Sequence, residues 1–112
     1  MSYYQRTKQA YKPFTITVDT TIAGTSGVGN FQLPFQALSD YRCIIDWGDG
    51  NTDRINVYNQ AETLHNYSVA ATYTIKIYGK CERFAFNNGG DRLKLLTVEK
   101  WGNIVWKSFD GF

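Results

Sequence analysis

Two runs of alternating apolar residues, Tyr41 to Trp47 and Thr52 to Val57, close on the tetrapeptide Gly48-Asp49-Gly50-Asn51. No other feature restricts the fold as much. In the first run Tyr41, Cys43, Ile45 and Trp47 fall on one side, the period-2 pattern of a strand with one buried face. Asp-Gly between two such runs is among the strongest short-range hairpin signals. Gly48 and Gly50 can supply the positive φ of a tight corner, while Asp49 and Asn51 cap backbone amides and tolerate the left-handed region. The expected element is a β-hairpin, with Asp46, Trp47, Gly48, Asp49, Gly50 and Asn51 as its structural corner.

The same stretch could be read chemically. Asp46, Asp49, Asn51 and Asp53 offer hard oxygen ligands at close spacing, which calcium prefers. The spacing nevertheless lacks a 12-residue loop ending in Glu. Neighbouring strand residues also point to opposite faces, so Asp46 and Asp53 need not converge with Asp49. The corner therefore reads as architecture, with no metal and no cofactor expected. His65 is the only histidine, so one chain cannot build a two-His site. Cys43 and Cys81 fit no metal-ligand pattern and read as buried free thiols. No G-x-S-x-G, P-loop or H-E-x-x-H occurs, and no catalytic residue is assigned. An enzyme is not expected.

The rest of the chain extends the β reading. Phe14, Ile16 and Val18 alternate with Thr15, Thr17 and Asp19, and Tyr73, Ile75 and Ile77 alternate with Thr74, Lys76 and Tyr78. Residues 20–30 hold three glycines and no period, a loop. Phe31 to Phe35 reads as a short edge strand, because Pro34 cannot donate to a central ladder. Lys80 to Phe86 alternates, residues 87–91 read as a turn, Leu93 to Val98 as a last core strand, and Trp101 to Trp106 as its continuation. With 112 residues and 16% aromatics this is one domain, an all-β sandwich of about seven or eight strands.

Charge separates an arm from a body. Arg6, Lys8 and Lys12 lie in the first 13 residues with no acid, whereas 9 basic and 10 acidic residues follow. Residues 1–13 are expected to be an N-terminal arm and residues 14–112 the sandwich domain. Tyr3, Tyr4, Arg6, Lys8, Tyr11 and Lys12 are the candidate anchors of the arm, joined by the aromatic C-terminus (Trp106, Phe109, Phe112). A body this close to neutral argues against nucleic acid as a partner. No segment approaches the ~20 apolar residues of a membrane span, so no membrane partner is expected. No apolar run suited to a secretory signal opens the chain. It is therefore expected to be made in a cytoplasm.

The stretch IIDWGDGN (44–51), followed by LHNYSVAATYTIKIYG (64–79), resembles the polycystic-kidney-disease (PKD) type of immunoglobulin-like domain. Asp46, Trp47, Gly48, Asp49 and Gly50 match its hairpin motif, and His65, Tyr67, Tyr73 and Ile75 match its following strands. Ala71 stands where the family usually has Gly, and Trp47 where Phe is common. The tail LKLLTVEKWGNIVWKSFDGF (93–112) is similar to the end of the PKD-like module that precedes repeats in BspA-like bacterial surface proteins. The resemblance implies an immunoglobulin/PKD-like β-sandwich of a spacer, adhesion or assembly type, and fold alone cannot choose among these. Such a fold without an export signal fits a virion protein made in the host cytoplasm. The expectation is a capsid decoration (cement) protein of a tailed phage, attached through its arm to the major capsid protein or another virion protein. A homo-oligomer and a surface glycan stay open as further partners. The alternative is a carbohydrate- or cell-surface-binding module of a phage tail or fibre, or of a bacterial cell-surface protein.

Overall fold

A computed structural model describes residues 12–86 and 89–102, and the backbone of 108–110. Nine strands are present among them: β1 (Phe14–Asp19), β2 (Asn30–Gln32), β3 (Tyr41–Asp46), β4 (Thr52–Ile55), β5 (Leu64–Asn66), β6 (Thr72–Cys81), β7 (Arg83–Ala85), β8 (Leu95–Lys100) and β9 (Ser108–Asp110). The fold is all-β. A five-stranded antiparallel sheet runs in the order β4-β3-β6-β1-β8, with two smaller sheets, β2-β5 and β7-β9. The β7-β9 pair is parallel, with Phe84 opposite Phe109.

The longest strand, β6, is the spine. Ile77 lies opposite Ile45 of β3 on one side and Phe14 of β1 on the other. Because strand side chains alternate, this register puts Phe14, Ile16, Val18, Cys43, Ile45, Ile75 and Ile77 on one buried face. Phe31, Leu33, Phe35, Tyr67, Phe84 and Phe86 belong to the same core cluster, filling the space between the layers. Burying each large apolar side chain stabilises the fold by roughly 1.5–3 kcal/mol. Tyr41 ties the edge of this core: its ring stacks on Phe35 at 4.1 Å, and its hydroxyl donates to the Arg83 carbonyl at 2.6 Å. Burial pushes that hydroxyl up to about 12.

The alternating strands β1, β3 and β6 stand where the period-2 pattern predicts them. Three expectations needed correction. The last strand begins at Leu95, because Arg92–Lys94 forms a 3-10 turn. Leu93, in that turn, and Leu96, on the strand's outer side, face solvent, whereas Leu95 and Val98 pack against the core. Phe84, Ala85 and Phe86 do not alternate but are buried in succession, as β7 is covered on both faces. Finally, β2 ends at Gln32, before Pro34, and pairs only with β5. Trp101 and Gly102 lie beyond the end of β8, and residues 103–106 fall outside the described residues.

One buried cluster was not foreseen from the sequence. Lys94 and Asp91 are both fully buried. The Lys94 ammonium donates to the Asn30 carbonyl at 2.6 Å, to Ser26 Oγ at 3.3 Å and to the Gly27 carbonyl. Its three protons thus meet three acceptors. The Asp91 carboxylate accepts the backbone N–H of Ser26 at 2.9 Å and of Gln32 at 2.7 Å, together with the Ser26 hydroxyl. Two charges on one short turn hold the whole β1–β2 loop.

Candidate functional site

The acidic corner forms a hairpin in which Asp46 lies opposite Thr52 and Ile45 opposite Asp53. Asp46 and Asp53 are therefore out of phase and point to opposite faces. Each acid already has a partner. Asp46 Oδ1 accepts the Gly48 N–H at 3.0 Å, and Asp49 Oδ1 accepts the Asn51 N–H at 3.1 Å. Asp53 Oδ2 accepts the Trp47 indole N–H at 2.8 Å. Asp49 Oδ2 lies 2.8 Å from His65 Nε2. Among the described residues no three His, Cys, Asp or Glu side chains gather as metal ligands. Gly48 has φ +84°, and a Cβ there would run into the Thr74 carbonyl of β6. Glycine is required at this close approach for two reasons at once.

Trp47 is the hub of the corner. Its buried ring stacks on His65 at 4.5 Å. His65 meets Tyr67 edge-on at 4.6 Å, and Tyr67 stacks on Tyr73 at 3.9 Å. The Tyr67 hydroxyl returns to the Trp47 carbonyl at 2.8 Å. The residues that carry the sequence resemblance thus converge on one aromatic stack, which locks β3, β5 and β6 to the corner. Tertiary packing alone gives Trp47, His65, Tyr67 and Tyr73 a structural role.

The Asp49 carboxyl illustrates the electrostatics. Burial opposes its ionisation, but hydrogen bonds from His65 and Asn51 outweigh burial and hold it below its ordinary 3.8. As pH falls, the unfolded chain then takes up this proton before the folded one. The stabilisation is fully present above 3.8 and is lost as pH drops through the lower folded value. We expect the urea midpoint to fall below about pH 4, and Asp49→Asn to make that fall shallower. The variant should be less stable by about 1 kcal/mol at neutral pH. Some acid sensitivity will remain, because hydrogen bonds from Thr21 and Lys80 lower Asp19 and Asp40 as well. An identical pH profile in the variant would contradict the assignment.

Both cysteines are free and buried. Burial pushes the Cys43 thiol up to about 12 and raises Cys81 well above its ordinary value. Neither is suited to act as a nucleophile at neutral pH.

The proposed anchors divide differently. Tyr3, Tyr4, Arg6, Lys8, Tyr11, Trp106 and Phe112 lie outside the described residues, and Phe109 is described by its backbone pairing in β9 alone. Lys12 is exposed and leads through Pro13 into β1. This root meets the start of the C-terminal stretch. A Cβ on Gly102 would lie 2.5 Å from the Lys12 carbonyl oxygen and from the Pro13 carbonyl carbon, so the two backbones touch. The Phe14 and Trp101 rings are 5.7 Å apart, and Trp101 remains 54% exposed. Lys12 and Pro13, at the root of the arm, and Trp101 and Gly102 thus share one pole of the body, and residues 108–110 lie on the body as β9 beside β7.

A groove of about 650 Å3 is the other recess of note, lined by residues from 32–36, 58–64, 85–86 and 90–91. It had no signal in the sequence, because its walls come from four separated segments with no shared period. Compared with known proteins, the chain matches no family model, no curated protein and no solved structure.

Proposed function

We propose that the chain is a non-enzymatic virion structural protein, a decoration protein of a tailed-phage capsid. Its N-terminal arm attaches to the lattice and its PKD-like sandwich projects outward. The observation that carries this reading is the shared pole. The basic, aromatic arm and the aromatic C-terminal stretch start side by side at Lys12, Pro13, Trp101 and Gly102. The arm's root and the exposed Trp101 ring on one pole can meet one surface together, and an exposed aromatic ring makes an effective anchor. In the acidic corner, where chemistry would otherwise be sought, each of Asp46, Asp49 and Asp53 is engaged by Gly48, Asn51, Trp47 or His65. Repetition over a lattice makes modest contacts per copy sufficient.

Co-sedimentation with stripped heads tests this. The full chain should pellet at a fixed copy number per head. A chain lacking residues 1–11 should stay in the supernatant while unfolding at the same temperature as the parent. Undiminished binding by the shortened chain would refute attachment through the arm.

A further inference from the structure

The groove beside the β2-β5 sheet has a chemistry of its own, and the inference from it goes beyond the attachment reading. We propose that it binds a neutral oligosaccharide. At about 650 Å3 it falls within the size range of small-ligand clefts. Among the described residues Asp91 is the only charged one that lines it. That carboxylate is fully buried and accepts from Ser26 and Gln32. A charged ligand would therefore find no counter-charge and would lose its hydration uncompensated.

The polar lining is rich in acceptors. Gln36 donates its amide NH2 to the Ala85 carbonyl at 2.6 Å. Gln32 donates its own to Thr63 Oγ1 at 2.8 Å and to the Leu33 carbonyl at 3.3 Å. These donations fix both amides; Gln32 retains its carbonyl oxygen, and Gln36 retains its carbonyl oxygen and a second N–H. A ligand that brings several donors, as hydroxyl groups do, matches that lining. Pro34 and Phe35 supply apolar surface, and Tyr58, 39% exposed, adds an aromatic ring. The two faces a sugar presents, C–H surface and hydroxyl edge, are thus both provided for. A purely apolar ligand would leave the amide carbonyls desolvated without partners.

The loop carrying Tyr58 is held before any ligand arrives. Gln60 donates to the Arg54 carbonyl at 2.7 Å and accepts the Asn56 N–H at 2.9 Å. Such preorganisation lowers the cost of binding.

The test is an amide-resolved NMR titration with maltotriose, cellotriose and N,N′,N″-triacetylchitotriose at millimolar concentrations, with 3′-sialyllactose as the charged comparator. At least one neutral trisaccharide should shift amides of 32–36 and 58–64, and 3′-sialyllactose should shift them less. Tyr58→Ala and Asn59→Ala, both on the rim, should each keep the remaining spectrum unchanged and weaken binding about tenfold, equal to 1.4 kcal/mol. The proposal is overturned if none of the three neutral sugars shifts these residues. It is equally overturned if the shifts map elsewhere, if the charged sugar binds best, or if both variants bind as the parent does.

Discussion

Replacing Lys94 by methionine is expected to destabilise the fold by about 3–5 kcal/mol, the usual result of removing one member of a buried charge network. The side chain is fully buried, so no solvent can take over its role. Without the ammonium, the carbonyls of Gly27 and Asn30 lose a donor, and Ser26 Oγ loses one of its two partners. Asp91 then loses the link to the ammonium that Ser26 Oγ provides, since that hydroxyl donates to Asp91 and accepts from Lys94. The expected fall in melting temperature is more than about 10 °C for a domain of this size. Leu93→Ala is the control: Leu93 is 64% exposed, and the change should stay within about 0.5 kcal/mol. Urea denaturation of both variants decides the matter. A Lys94→Met loss no larger than the Leu93→Ala loss would show that the β1–β2 loop does not depend on this network.

The second large effect concerns Trp47. Trp47→Ala should cost about 3–5 kcal/mol, the range for truncating a fully buried large aromatic. The cavity would open under His65, whose ring stacks on the indole, and would loosen Tyr67, whose hydroxyl reaches the Trp47 carbonyl. Trp47→Phe separates packing from hydrogen bonding. It keeps most of the ring contact but leaves Asp53 Oδ2 without the indole N–H. We expect about 1–3 kcal/mol from that orphaned acceptor. If Phe proves as stable as Trp, the Asp53 bond contributes nothing and the stack alone organises the corner.

These two residues also show how far sequence carries. Trp47 was legible: it ends an alternating run, sits before an Asp-Gly corner, and falls on the same face as Ile45. Strands β1, β3 and β6 were legible for the same reason, since period 2 is enforced wherever one face is buried. Lys94 was not. Its burial depends on carbonyls of a loop more than sixty residues earlier, and nothing within the stretch of residues 93–98 distinguishes it from a solvated lysine. Leu93 and Leu96 misled in the opposite sense, because apolarity shows neither the turn that carries Leu93 nor the outer side that carries Leu96. Phe84 to Phe86 failed because a strand covered on both faces loses its alternation. Of the candidate site, the corner could be read as architecture from its spacing. The meeting of Lys12 and Pro13 with Gly102 could not, since it joins two ends of the chain through the register of β1 and β8.

The central claim is that the pole where Lys12 and Pro13 meet Trp101 and Gly102 is the attachment face. Hydroxyl-radical footprinting of the chain bound to heads, compared with the free chain, addresses it most directly. The account predicts that Trp101 becomes protected on binding while Tyr58, at the rim of the groove, reacts as before. Protection of Tyr58 with Trp101 unchanged would contradict it, and would make the groove the face that meets the particle.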